Sequence, residues 1–398
     1  LYGLHMAELT RDAMAAKAEL ERAGLMQGEL VQRLTWATGD PAISPHGKRV
    51  AIALRERDRP TRVVVWKTSP EVEDSAAAQR RAESLMRDPE DVPDRRFHPL
   101  PKRPEKTLSS EQGRAYQMPR WFPDNKRVLL TRWTARSDGT LSPALYEWNT
   151  ESGRTKRITS AVGVLHGDPH PTQNIALAMQ CHWGHCDVVR VDLARGVMST
   201  LLEGNARLTY YRPRWSPDGR RILASVSENG RWRVVVADRN GKVMRSVDPD
   251  DGANRYDATW ITNDSVVAVS ERGGIPNLEL IRLRDTSVTA LTRVTGAAVA
   301  PDVDRADGSI WFLSLHSRGL DVRRLPQESR VADSVVRIDE RFGWAGAPTA
   351  RPRELPESPV GESRPYGGGP RHARWLPALS GSGAGFGGFL AIYSARIN

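Results

Sequence analysis

Cys181-His182-Trp183-Gly184-His185-Cys186 gathers two thiols and two imidazoles within six residues. Three chemistries fit. Gly184 lies in a four-residue turn between the runs Ala176–Met179 and Asp187–Asp192, and a hairpin brings paired Cα atoms to roughly the 5.5 Å that a disulfide accepts. Free thiols are the second reading. A soft metal site is the third, but Cys-x4-Cys is at the upper limit of ligand spacing, and His182 and His185 sit too near the thiols to encircle one ion comfortably. We expect a disulfide between Cys181 and Cys186, hence an oxidising compartment, and no metal.

Other motifs fail on context. Gly383-Ala384-Gly385-Phe386-Gly387-Gly388 contains Gly-x-Gly-x-x-Gly, but a dinucleotide site also needs a strand before it, a helix after it and an acidic residue roughly 20 positions on. Asp248-Pro249-Asp250-Asp251-Gly252 is out of register with a calcium-binding loop and reads as a turn between repeats. There is no Gly-x-Ser-x-Gly nucleophile elbow. The sequence therefore supports no catalytic residue, no cofactor and no enzyme activity of its own.

Composition narrows the class. Of 398 residues, 39% are hydrophobic and 27% charged, the proportions of a folded globular chain. The net charge is +10, yet the arginines are spread along the chain instead of forming a stripe, so we expect a solvated basic surface and no nucleic-acid partner. No apolar run reaches about 18 residues, the length of a membrane-crossing helix. The chain starts at Leu1, and we expect it to be a portion of something longer.

The elements that must carry these residues repeat. Arg120-Trp121-Phe122-Pro123-Asp124-Asn125 is echoed by Arg214-Trp215-Ser216-Pro217-Asp218-Gly219, and again by Ile43-Ser44-Pro45-His46-Gly47. Worn copies follow at His170-Pro171, Trp260 to Asp264 and Ala306-Asp307-Gly308. The turn positions 123, 171, 217, 263 and 307 recur every 46 residues or so. Proline presets φ, Asp and Asn bond their own backbone and Gly accepts positive φ, so each copy is a hairpin turn between apolar runs. Four short strands per period fit a propeller blade, and six copies predict an all-β, six-bladed propeller over residues 39–338.

The interval from 45 to 123 exceeds one period by roughly 30 residues, which marks residues 71–113 as an insertion, either a docking flap or a solvated excursion. Residues 1–38 are rich in strong helix formers and predict a helical segment. From 339 to 398 Pro and Gly dominate, predicting a linker, with Phe386 to Tyr393 as a strand.

The Trp-Ser-Pro-Asp-Gly unit resembles the TolB-like, WD-like propeller repeat of the bacterial cell envelope, also found in prolyl-oligopeptidase-type enzymes. Trp215 to Ala224 matches it fully and Trp121 to Leu130 nearly so. The N-terminal segment resembles the tail of a helical metallopeptidase-like domain, although His5-Met6-Ala7-Glu8-Leu9 is not His-Glu-x-x-His. The C-terminal segment resembles the approach to an outer-membrane surface-antigen barrel. These resemblances imply a non-catalytic module in the periplasm or outer membrane that binds a protein or peptide partner of the envelope, with outer-membrane association through the C-terminal segment. The alternative they imply is a gating propeller of a peptidase whose catalytic motif lies outside this chain. They also imply that residues just ahead of the Trp-Ser-Pro strand face a central funnel, which places Tyr116, His166, Asp168, Tyr211, Arg212, Tyr256 and Asp257 on one rim. Of these, Tyr116, Tyr211, Arg212 and Tyr256 are expected at equivalent positions of different blades.

Overall fold

The computed structural model describes residues 24–34, 39–54, 60–68, 103–111, 114–136, 140–160, 162–182, 184–247, 249, 251–316 and 319–329, with scattered positions between 10 and 22 and the strands of 373–382 and 385–394. Strand β1 (Glu29–Arg33) precedes the repeat. The first blade is β2 (Ala42–Ile43), β3 (Arg49–Leu54), β4 (Arg62–Lys67) and β5 (Lys106–Ser109). The second is β6 (Tyr116–Trp121), β7 (Arg127–Ala135), β8 (Leu141–Asn149) and β9 (Thr155–Arg157). Blade three runs β10 (Val164–Pro169), β11 (Ile175–His182), β12 (His185–Asp192) and β13 (Met198–Leu202). Blade four runs β14 (Leu208–Trp215), β15 (Arg221–Glu228), β16 (Arg231–Asp238) and β17 (Val243–Ser246). Blade five is β18 (Arg255–Thr262), β19 (Ser265–Ser270), β20 (Asn277–Arg282) and β21 (Val288–Ala290). The sixth has three strands in sequence, β22 (Ala297–Val303), β23 (Ile310–His316) and β24 (Gly319–Leu325), and takes β1 as its outer fourth. The six-bladed propeller is as the repeat predicts.

The core is six clusters, one at each interface between neighbouring blades. Leu177, Val188, Trp215 and Ile222 pack blade three on blade four, and Ile43, Val64, Trp311 and Val322 pack blade one on blade six. Such a sheet is apolar on both faces, which is why central strands such as Leu129-Leu130 and Val234-Val235-Val236 lack strict alternation. The repeated turns add polar links. Gly219 has φ 71°, and a Cβ there would lie 2.4 Å from Nε2 of His170 in the preceding blade, so only glycine fits.

Two boundaries differ from expectation. The predicted helical segment of 1–38 does not run to its end, because residues 29–33 are a strand: Glu29, Leu30 and Gln32 pair with Arg324, Arg323 and Val322. Gly28 at φ 64° turns the chain, and Val31 packs on the cluster between blades six and one. The open edge of β24 dictates this strand, and no local propensity could reveal that edge. The positions described between 10 and 22 have helical backbone. The insertion is shorter than 71–113, since Lys106–Ser109 is β5, paired with β4, and Leu108 packs on the core. The helix-forming part of the insertion and residues 330–372 lie outside the described residues. The described part of the C-terminal unit is a β-hairpin of β25 (Ala373–Ser382) and β26 (Gly385–Ser394), so the strand expected at Phe386 to Tyr393 is present, and Ala373–Ser382, expected as linker, is its partner strand. No helix among the described residues is long and apolar enough to cross a membrane.

Cys181 and Cys186 are disulfide-bonded and directly paired across the β11–β12 hairpin. His182 pairs with His185 one step further out, so the imidazoles leave the opposite face of the ribbon from the sulfurs, and one ion could not take all four. Closing so short a loop stabilises by about 2 kcal/mol. Intact-mass measurement of the unreduced protein should show both thiols unavailable to an alkylating agent. Deleting residues 1–23 should leave thermal unfolding within about 2 °C of the full chain, whereas deleting 1–34 should lower it by 10 °C or more by exposing the β24 edge.

Candidate functional site

The innermost strand of blades two to six is broken at an equivalent place. Pairing with the second strand shifts register between Gln117 and Arg120, Leu165 and Asp168, Tyr211 and Arg214, Tyr256 and Thr259, and Val299 and Asp302. At each bulge a non-glycine residue, Met118, His166, Arg212, Asp257 or Ala300, holds φ between 49° and 55°. Such backbone costs of order 1 kcal/mol per residue and is kept where surroundings enforce it. Three of these residues show the enforcement: the amides of His166 and Asp257 donate to the hydroxyls of Thr131 and Ser225 in the preceding blade, and that of Arg212 to Sδ of Met179. Pro119, Pro213 and Pro301 follow the bulge residue in three blades, where a missing amide hydrogen is no loss. Gly167 stands there in blade three because a Cβ would meet Leu129 at 2.5 Å.

The bulge turns alternate side chains toward the axis, in two layers. In the first, aligning the turn at Ser44 with that at Ser216 puts Asp40 where blade four has Arg212. The Arg212 guanidinium pairs with Asp257 of the neighbouring blade and with Asp40 of blade one, on the opposite side of the ring, so one side chain bars the channel. In the second layer Arg120 pairs with Asp302 at 2.9 Å and Asp168 at 3.4 Å. The same two aspartates accept backbone hydrogen bonds across blade interfaces, Asp302 from Ile43 and Asp168 from Trp215, each at 2.8 Å. Burial works against the charge of Arg120, but Asp302 and Asp168 outweigh it and raise its pKa.

Beside the bar lies an aromatic row. The ring of His166 meets Tyr211 at 5.1 Å, Tyr211 meets Trp232 at 5.9 Å and Trp232 meets Tyr256 at 6.0 Å, so the row crosses blades three to five. Arg212 lies 5.4 Å from the centre of the Tyr211 ring, and the Tyr256 hydroxyl donates to Glu271 at 3.2 Å. Burial, reinforced by Asp257, holds the Tyr211 phenol above its ordinary pKa; burial and Glu271 push Tyr256 up to about 12. Both stay neutral and present apolar faces with a polar tip. Burial and the Arg214 charge lower His166 to about 3, so its ring is neutral as well.

The expected rim is thus partly assembled. The structure brings His166, Tyr211, Arg212, Tyr256 and Asp257 together and sets Asp168 one layer further along the axis. The four residues expected at one position do not share it: Tyr211 and Tyr256 stand just before their bulges, Arg212 is a bulge residue, and Tyr116 is one step earlier still. Tyr116 is buried in the interface of blades one and two, edge-on to Tyr146. The reason is the pleat: Tyr116 stands two residues before its bulge, as the buried Tyr210 does, so it faces a blade interface, whereas Tyr211 and Tyr256 stand one residue before theirs. Asp40, Arg120, Arg214, Asp302 and Trp232 escaped the sequence reading. A signal for the first four was present in Asp40-Pro41-Ala42, Met118-Pro119-Arg120, Arg212-Pro213-Arg214 and Ala300-Pro301-Asp302.

A polar cleft of about 530 Å³ lies at the opposite end of the blades, among the repeated turns at the root of the insertion. Its charges are largely paired, Arg49 with Glu105 and Lys126 with Glu151.

No protein-family model matches the sequence, and no curated protein matches it. Among solved structures, TolB from Acinetobacter baumannii superposes with a TM-score of 0.53 at 17% identity, over 72% of this chain and 63% of that one. This chain thus spans less than two thirds of that TolB. A protein assigned as TolB from Agrobacterium tumefaciens gives 0.50 at 15% identity, over 74% and 93%. An acylaminoacyl peptidase from Pyrococcus horikoshii reaches 0.46 at 14%, over 73% and 44%, too loose a superposition to carry an argument. The likeness is to the TolB-like propeller fold and gives no support to the metallopeptidase-like or surface-antigen-like reading of the flanks.

His166 is neutral in the folded chain down to about pH 3, while in the unfolded chain it takes up a proton near 6.5. Its contribution to stability is therefore complete above 6.5 and is lost as pH falls from there toward 3. Across that window the unfolding free energy of the wild type should fall faster than that of His166→Gln, by up to about 1.4 kcal/mol per pH unit. Parallel denaturation profiles for the two proteins would contradict a buried neutral imidazole.

Proposed function

We propose that this propeller is a non-catalytic interaction module that captures a protein or peptide partner on the rim made by His166, Tyr211, Arg212, Trp232 and Tyr256. The observation that carries this reading is the aromatic row spanning three blades beside a charged bar. Tyr, Trp and Arg supply large contact area at low entropic cost and dominate protein hot spots. The three larger rings are half-buried, so their exposed edges are already ordered before a partner arrives.

The reading of the propeller as a peptidase's gate is less well served. Passage of a chain along the axis would have to break both ion pairs of Arg212, and opening a buried pair costs several kcal/mol. A place in the cell envelope fits the Cys181–Cys186 disulfide, since such bonds persist in oxidising compartments. Association with the outer membrane through the C-terminal hairpin belongs to the same proposal.

A peptide selected from a display library against the whole chain is the probe. Tyr211→Ala combined with Trp232→Ala should weaken its binding about 30-fold or more by fluorescence anisotropy. Deletion of residues 71–102, which join the blade at the opposite end from the rim, should leave binding unchanged. The reverse pattern would move the site to the insertion.

A further inference from the structure

Three arginines and four aspartates line the two axial layers. The aspartates are all engaged, Asp40 and Asp257 by Arg212, Asp168 and Asp302 by Arg120. Arg214 is left over. It occupies in blade four the position that Arg120 holds in blade two, so it belongs to the same axial layer, and it is 6% exposed. Among the described residues no carboxylate oxygen approaches it within 4.0 Å. Its Nη1 donates to the carbonyl of Pro213 at 3.2 Å, and its Nε is buried with no hydrogen-bond partner. Burial, and then the like charge of Arg120, bring its pKa down to about 10, so it is still a cation at neutral pH. Asp168 and Asp257 favour its charge from beyond ion-pair distance, but a buried guanidinium with an unpartnered N–H is costly unless something supplies an acceptor.

We propose that Arg214 anchors an axial site for a singly charged carboxylate, delivered either as a small free acid or as the C-terminus of a peptide. The chemistry follows from the geometry of the group. A guanidinium offers parallel N–H donors in a plane, which a carboxylate matches with two oxygens. A doubly charged phosphate is disfavoured relative to a carboxylate, because Asp168 and Asp257 act on the same site and repel an anion in proportion to its charge. This site is independent of the rim: it lies one layer beyond the Arg212 bar, and either can fail without the other.

Thermal unfolding of the full chain at pH 7 and fixed ionic strength, with acetate replacing chloride, tests the proposal. The wild type should gain about 3 °C at saturating acetate, and Arg214→Met should gain nothing. The rim variant Tyr211→Ala/Trp232→Ala should keep the full shift, which separates this site from the binding surface. An equal acetate shift in wild type and Arg214→Met, or no shift in the wild type, overturns the proposal. Should Arg214→Met fail to fold, Arg214→Lys keeps the charge without the planar fork; it should lose most of the shift, and full retention again overturns the site. The source of the carboxylate is read from a tetrapeptide with a free C-terminus beside its amidated form. Stabilisation by the free form alone, at lower concentration than acetate, assigns a peptide terminus; response to acetate without response to either peptide assigns a small acid.

Discussion

A ring of sheets buries both faces of every blade only if the last blade meets the first, and here that meeting depends on five residues from outside the repeat. Glu29–Arg33 completes the sixth sheet, so the first and last strands of the propeller are hydrogen-bonded into one blade. Arg323 reinforces the joint by donating to the carbonyls of Gln27 and Gly28. With the ring closed, each cluster becomes an interior shared by two blades, and no blade has a core of its own. Stability is then cooperative around the ring, although each contact is local between neighbours.

Closure also fixes the lumen. Six innermost strands face one axis, and a bulge in each of five of them redirects side chains that ordinary pleating would send into the blade interfaces. The strained φ values at Met118, His166, Arg212, Asp257 and Ala300 persist because neighbouring blades hold these residues in place. Strain and charge are thereby concentrated in the one region where no apolar packing is available. Arg212 spanning from blade four to Asp40 and Asp257, and Arg120 joining Asp302 to Asp168, tie non-adjacent blades together through the axis. Ion pairs so buried add little net stability over apolar packing, yet each charge commits its partner to one geometry. They fix which charges face the axis.

The two ends of the propeller differ for a related reason. At one end the repeated turns pack on one another, His170 on Gly219 and the amide of His46 on Asn125, and their charges are paired locally. At the other, aromatic side chains from three blades line up where the inner strands begin, and their contacts leave edges open to solvent. The proposed binding surface is at the second end, where ordered aromatic rings keep edges open to solvent.

The sequence by itself determined what is local and periodic. Pro, Asp and Gly at about 46-residue intervals specify turns, the runs between them specify strands, and together they fix the number of blades. The disulfide of Cys181 and Cys186 is one of three chemistries the sequence allows and the one expected, because a hairpin between the flanking runs sets the two cysteines opposite each other. What only the tertiary structure decided is non-local. Glu29-Leu30-Val31-Gln32-Arg33 carries no strong strand pattern and becomes a strand because β24 offers it an unpaired edge. Tyr116 sits in a core while Tyr211 and Tyr256 reach the rim, because they stand two residues and one residue before bulges whose places only the pairing of strands reveals. Arg120, Arg212 and Arg214 look alike in sequence, each an Arg beside a Pro: Arg120 follows Pro119, and Arg212 and Arg214 flank Pro213. Which of them finds an acid depends on blades up to half the ring away, a distance that exists only once the ring has closed.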